Sequence, residues 1–160
     1  MIVIINGAPG SGKSQTAKIL FEQTGNSAWI EGDHLLATNP HDHGEQRHLR
    51  YKNIAALAKN YHDGGFKNIF ISFVYGRTED LSEQHNLLRG IDTVKVVTLI
   101  PNNQTLKKRH KEDSYKRATI EESVELNNKI AELQNIEIVD NSDISIEEVV
   151  KQIKQKVNII

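Results

Sequence analysis

Short apolar runs alternate along the chain with longer segments in which apolar residues recur at helical spacing. Ile2 to Ile5 is an unbroken, β-branched run, the pattern of a parallel strand buried on both faces. Lys13 to Gln23 follows as a helix with Ala17, Leu20 and Phe21 on one side, and Ser27 to Glu31 reads as a second strand. Gln46 to Asp63 predicts an amphipathic helix with Leu49, Ile54, Leu57, Ala58 and Tyr61 as its inner face, ended by Gly64-Gly65. Ile69 to Tyr75 predicts a third strand, Thr78 to Arg89 a helix closed by Gly90, and Thr93 to Ile100 a fourth strand stopped at Pro101-Asn102. Thr119-Ile120-Glu121-Glu122 has the form of a capping box and opens a helix expected to reach about Leu133. Ile136 to Val139 is the fifth strand. Ser145-Ile146-Glu147-Glu148 repeats the capping pattern before a helix that turns Val149, Val150, Ile153 and Val157 inward.

Strands alternating with helices imply right-handed crossovers and a mainly parallel sheet with helices on both faces, a three-layer α/β arrangement. No repeat, low-complexity tract or linker interrupts the 160 residues, so a single domain over residues 1–160 is expected.

Composition narrows the function classes. Hydrophobic residues make up 38% and charged residues 26%, the balance of an ordered globular chain. A net charge of −1 offers no global attraction to nucleic acid or an anionic membrane, so any polyanion site must be local. Cysteine is absent, which removes disulfides and thiolate metal sites and fits a reducing compartment. No basic n-region precedes the opening apolar run, and no segment has the apolar length to cross a bilayer; a cytoplasmic protein is expected.

The chemistry begins at Gly7-Ala8-Pro9-Gly10-Ser11-Gly12-Lys13-Ser14, which fits G-x-x-x-x-G-K-[ST] at every fixed position. Glycines let the backbone N–H groups of such a loop converge on phosphate oxygens. Lys13 adds a point charge for the β- and γ-phosphates, the Ser14 hydroxyl can ligate Mg²⁺, and Ser14 and Gln15 open a helix whose dipole faces the same anion. Gly7 to Gln15 is therefore the candidate ATP-binding set, with an apolar strand before it and a helix-forming segment after it.

Two other phosphate-loop classes fit poorly. A guanine-reading Asn-Lys-x-Asp element finds its nearest match in Asn128-Lys129-Ile130-Ala131, with Ala131 in place of the acid. Strand three ends Phe73-Val74-Tyr75 without the acid of a mechanical ATPase. Ile138-Val139-Asp140 ends a strand expected at the sheet edge, too far from the loop to share its metal.

Over nearly its whole length the chain resembles the small P-loop kinases, the group of nucleoside-monophosphate, shikimate and gluconate kinases and chloramphenicol phosphotransferase. That resemblance implies a five-stranded parallel sheet in the order 2-3-1-4-5 and a small lid before the last strand, here about residues 107–118. Glu31-Gly32-Asp33 looks like the acidic pair of shikimate and gluconate kinases. By the resemblance, Asp33 takes the proton of the acceptor hydroxyl and Glu31 holds Mg²⁺ through water. Strand alternation would place both carboxylates on one side; a helix cap at Asp33 and a solvated Glu31 remain the plain alternative.

Lys107 to Arg117 carries seven basic residues, counting His110, against two acids, and resembles the family's lid. There Arg109 would stack on adenine and Arg117 would close on the transferring phosphoryl, tasks suited to a planar forked cation; a solvated charged face is the competing reading. Arg77, just after strand three, lies at the edge where ligands bind in open α/β sheets, as acceptor contact or as surface arginine. Arg47 and Arg50 share a helical face and either grip an anionic acceptor or form a solvated edge. His41-Asp42-His43 reads as a solvated loop rather than a metal site, and Trp29 as core.

These residues point to an ATP- and Mg²⁺-dependent phosphotransferase acting on a small molecule, with Lys13, Asp33 and Arg117 at the chemistry and Asp33, Arg47, Arg50 and Arg77 toward the acceptor. Asp33 leans the acceptor toward a hydroxyl rather than a nucleotide phosphate. No extended basic track suggests a nucleic-acid partner. An ATP-binding switch that transfers nothing is the alternative.

Overall fold

The computed structural model describes residues 1–39, 46–112, 118–134 and 136–159. Five strands form one sheet: β1 Ile2–Asn6, β2 Ser27–Glu31, β3 Asn68–Ser72, β4 Val94–Leu99 and β5 Glu137–Val139. Their order is β2-β3-β1-β4-β5 and every pairing is parallel. The order puts β1 at the centre and β5 at an edge, so Asp140 lies away from the strand that feeds the phosphate-type loop.

Strand alternation divides the core. Ile2, Ile4, Ile30, Ile69 and Ile71 pack on one face against α2 (Gln46–Asp63) and α3 (Thr78–Leu88). Val3, Ile5, Phe70, Val97 and Leu99 pack on the other against α1 (Lys13–Gln23) and α6 (Ile146–Val157). All five residues of β1 are buried, as a strand between two helical layers must be. Trp29 is partly buried against the second cluster, and its indole N–H donates to Ser72 Oγ at 2.9 Å.

The helix boundaries follow their end signals. Gly65 takes φ of +89° just past α2, a conformation costly for a residue with a Cβ. Thr119 and Glu122 form both halves of a capping box at α5 (Ile120–Ala131). At α6 the Ser145 hydroxyl accepts from Glu148 N–H, while the Glu148 carboxylate lies toward Lys151 and Gln152. The four inward residues expected of α6 are all buried.

Several expectations are corrected. Phe21 and Leu49 are exposed, at 37% and 44%. On α2 the expected Ile54 and Ala58 are buried and Leu57 and Tyr61 are partly buried against the same core, while Leu49 turns outward and Tyr51 and Ala55 join the inner face. Strand β3 ends at Ser72, three residues early, because the chain beyond it is held by the Asn6 side chain instead of by a ladder. The basic stretch, to which the sequence pattern assigns no element, begins inside a helix: α4 spans Asn103–Glu112 and buries only Leu106. No helix among the described residues is long and apolar enough to cross a membrane.

Candidate functional site

Strand β1 delivers its last residue, Asn6, to the carboxyl edge of the sheet, where the chain must leave for the glycine-rich loop. The Asn6 amide donates to Tyr75 O at 3.2 Å and its Oδ1 accepts from Tyr75 N–H at 2.8 Å, extending strand pairing through a side chain. This fixes the root of the loop against the segment after β3. Gly7, Gly10 and Gly12 then adopt φ of +154°, +80° and +92°. A Cβ at Gly7 would lie 2.4 Å from Ser11 Oγ and 3.0 Å from Leu99 O, so the Ser11 hydroxyl would have to turn away and the backbone give slightly to admit a side chain there. Ser11 N–H donates to Ala8 O at 3.0 Å and closes the turn. Gly12 caps α1 without a side chain and the first turn holds no acid, which leaves the positive end of that helix for an external anion.

This loop walls a cleft of about 680 Å³. Pro9, Gly10, Gly12, Lys13, Ser14 and Gln15 contribute from the loop side, with Asp33 from the turn after β2, Arg109 from α4 and Asn141 from the segment after β5. Lys13 is buried, with 9% exposure, and lines the cleft.

Asp33 reaches the cleft by a route that strand alternation does not describe. Strand β2 stops at Glu31, and Gly32–His34 turns as one stretch of 3-10 helix. A Cβ on Gly32 would sit 2.8 to 2.9 Å from three Phe73 carbons, so a residue without a side chain is needed for this turn to lie against the Phe73 ring. The expectation that Glu31 and Asp33 share one strand face is therefore replaced: Asp33 lines the cleft, whereas Glu31 remains at the strand end and is not among the cleft-lining residues. Its Oε2 accepts from Ser72 Oγ at 3.1 Å, and its Oε1 is buried without a hydrogen-bond partner.

Across the cleft, Arg109 of α4 is partly buried. Its Nη1 donates to Ser11 O at 3.3 Å and its Nη2 to Asn141 O at 2.7 Å, while Asn141 Nδ2 donates to the same Ser11 oxygen at 2.8 Å. Burial lowers the Arg109 pKa from the usual arginine value. The guanidinium plane is thus fixed by two carbonyls at the mouth of the phosphate-type loop. Arg117, the expected closing residue, lies outside the described residues, as do His41, Asp42 and His43. Among the described residues no group of three or more His, Cys, Asp or Glu side chains could hold a metal ion.

The remaining expected acceptor residues gather between α2 and α3, around an acid the sequence reading did not single out. Arg77 donates to both oxygens of Asp80, at 2.8 and 2.7 Å. Arg47 Nε lies 3.7 Å from the same carboxylate. The Arg77 hydrogen bond, with both arginine charges, holds the Asp80 carboxyl below the usual carboxylate range. Behind it, burial raises the Tyr51 pKa, and Tyr75, fully buried, donates its hydroxyl to Gln84 Oε1 at 3.0 Å. Arg50 instead lies over the Phe73 ring, its guanidinium carbon 5.3 Å from the centroid.

Asn141 and Asp80 were missed for different reasons. Asn141 follows β5 at the carboxyl edge of the parallel sheet, where ligands bind, so its position was a usable signal. Asp80 sits three residues after Arg77 on a helix, a spacing that reads as an ordinary surface pair.

No family model matches the chain, and no curated protein does. Solved structures do match. The tunicamycin resistance protein of Deinococcus radiodurans superimposes with a TM-score of 0.74 at 18% identity, covering 99% of this chain and 96% of that one. A sugar kinase from Janibacter sp. gives 0.75 at 16% identity, covering 99% and 94%. A gluconokinase from Sinorhizobium meliloti gives 0.69 at 16% identity, covering 98% and 94%. At these identities the likeness is one of fold: the chain has the architecture of the small P-loop kinases.

Proposed function

We propose that this chain is an ATP-dependent phosphotransferase that moves the γ-phosphoryl of ATP to a small-molecule hydroxyl or a nucleotide acceptor. One observation carries the reading: Lys13, set by the loop after β1, and Asp33, set by the turn after β2, line the same cleft. A cation for the donor phosphates and a carboxylate for the acceptor proton are the two groups in-line transfer needs on either side of the moving phosphoryl. The fold likeness to a sugar kinase and a gluconokinase agrees with it.

In this reading the amides of Gly7 to Gly12, with Ser14 and Gln15, cradle the triphosphate, and Lys13 neutralises charge that grows on the β–γ bridge and γ-oxygens. Asp33 takes the proton from the acceptor hydroxyl as its oxygen bonds to phosphorus, and ADP leaves with the bridging electron pair. The Ser14 hydroxyl fits Mg²⁺ as a direct ligand; the family resemblance would add Glu31 through a metal-bound water, which requires its buried Oε1 to open toward a cleft it does not line. Mg²⁺ would supply charge neutralisation across the β- and γ-phosphates. Arg109, which lines the cleft, would stack on adenine, and Arg117 would close with the lid so that water does not replace the acceptor. Arg47, Arg50 and Arg77 lie on the acceptor side. The acceptor is a small molecule rather than a nucleic acid, since a net charge of −1 provides no extended basic track.

The test is ADP release from Mg-ATP against pools of nucleosides, nucleotides, sugars, sugar acids and hydroxylated antibiotics. One pool should raise release well above background, and Lys13→Ala should remove the gain. ATP binding with no stimulating pool would favour a switch that only binds its nucleotide.

A further inference from the structure

The β2–β3 ladder ends in the pair Glu31–Ser72, and this pair is tied by side chains as well as by register. Ser72 is fully buried. Its Oγ accepts the Trp29 indole N–H at 2.9 Å, and that group can only donate. The Ser72 proton is therefore left for an acceptor. Glu31 Oε2 lies at 3.1 Å and Ile30 O at 3.5 Å, so the nearer carboxylate oxygen takes it. Among the described residues this is the one hydrogen bond of the Glu31 carboxylate, since Oε1 is buried without a partner.

The bond sits where the chain turns to deliver the proposed base. Glu31 immediately precedes the Gly32–His34 turn, and its side chain makes no capping bond to that turn. The turn closes on itself through Leu35 N–H to Gly32 O at 3.2 Å. Toward β3 it meets two consecutive residues, Ser72 bonded to Glu31 and Phe73 packed on Gly32. The Phe73 contact limits how close the turn can come; it pushes and does not pull. Ser72 supplies the pull. Without its hydroxyl, a carboxylate with one enclosed oxygen has no donor in place, which is costly. Relief lies in swinging toward water, and the swing acts on the backbone two residues before Asp33.

We infer that Ser72 is a positioning residue for phosphoryl transfer: its hydroxyl, oriented by Trp29, holds Glu31 at the end of the ladder so that the following turn sets Asp33 in the cleft. This rests on the phosphotransferase reading above. Ser72 is not among the residues that line the cleft, so it acts through Asp33 rather than on nucleotide or acceptor.

Acceptor-stimulated ADP release from Mg-ATP and ATP affinity are measured with the full chain for wild type, Ser72→Ala, Asp33→Asn and the double variant, each checked for folding by circular dichroism. Ser72→Ala should lower kcat by about 10-fold, a part of the ~100-fold that a ~1 Å misplacement can cost, while ATP affinity stays within about two-fold. In the Asp33→Asn background the same change should cost less than about two-fold, because no base is left to misplace. Packing damage spread through the fold would instead slow both backgrounds by the same factor. Should Ser72→Ala fail to fold, Glu31→Ala cuts the same bond from a half-buried position and carries the same cycle. An unchanged kcat, or equal losses in both backgrounds, overturns the inference. If wild type turns over no acceptor, the phosphotransferase reading fails, and amide NMR decides the positional claim. Asp33 and His34 resonances displaced in Ser72→Ala, beside unmoved Gly10 and Gly12, uphold it. Asp33 and His34 resonances that move no more than those of Gly10 and Gly12 overturn it.

Discussion

Gly32→Ala puts a methyl group where the Phe73 ring already sits. The new carbon would lie 2.8 Å from Phe73 Cδ2 and 2.9 Å from its Cβ and Cγ. Contacts between carbons are favourable at roughly 3.5–4.0 Å, so the overlap is about 0.6–1.2 Å. Rotating the ring relieves only part of it, because Phe73 Cβ is itself one of the crowded atoms. Phe73 is 5% exposed and packs edge-on to Tyr51 and Tyr75, so neighbouring rings resist its retreat. Overpacking of this kind costs about 1–3 kcal/mol, which for a chain of this length lowers Tm by about 3–10 °C. The strain falls one residue before Asp33, and a displacement of ~1 Å at a reacting group can slow transfer by about 100-fold. The glycine-rich loop is built on β1, and its ATP affinity should hold. Urea unfolding, acceptor-stimulated ADP release and ATP titration read the three effects separately. Phe73→Leu in the Gly32→Ala background should recover part of the stability, giving a coupling of about 1 kcal/mol or more in a double-mutant cycle. A Gly32→Ala protein with unchanged Tm and unchanged transfer would refute the packing argument.

Tyr75→Phe removes the donor to a buried Gln84 Oε1 and should destabilise by about 1–2 kcal/mol in urea unfolding, with no change in secondary structure by circular dichroism. Asp80 gives a pH signature. Its folded pKa is depressed, chiefly by Arg77, so its contribution is complete above the ordinary value of 3.8 and is lost as pH falls through the lower folded value. Wild type should therefore lose its stability advantage over Asp80→Asn as pH drops below about 4, and equal pH slopes in the two proteins would argue against the pairing. Arg109→Ala should weaken ATP binding by about 10-fold or more, seen by calorimetry, since it loses the tie to Ser11 and the plane proposed to stack on adenine.

Most elements were legible because each has a local cause. The β-branched run of β1, the glycines after α2 and the Thr119–Glu122 reciprocal cap act within a few residues, and the structure places them where the pattern did. The phosphate-type loop was legible for the same reason, since its geometry depends on its own glycines. What the pattern could not supply is set by distant partners. Leu49 looks more apolar than Ala55, yet burial follows the helix direction that Tyr51 and its aromatic neighbours impose. Helix α4 offers one buried anchor, Leu106, in a strongly charged segment, so no apolar stripe announces it. The Asp33 turn departs from strand alternation because Phe73, some forty residues on, fills the space beside Gly32. Arg77 and Arg50 differ in their contacts although both read as basic residues near the acceptor edge: Asp80 occupies one and Phe73 underlies the other.

The most direct test of the central claim is acceptor-stimulated ADP release by Asp33→Asn beside its ATP affinity. The account predicts that stimulated release falls by about 10²–10⁴-fold, the range for losing a general base, while ATP binding stays within about two-fold. An Asp33→Asn protein that transfers at the wild-type rate, or a wild type that binds ATP yet releases no ADP with any acceptor pool, would contradict it.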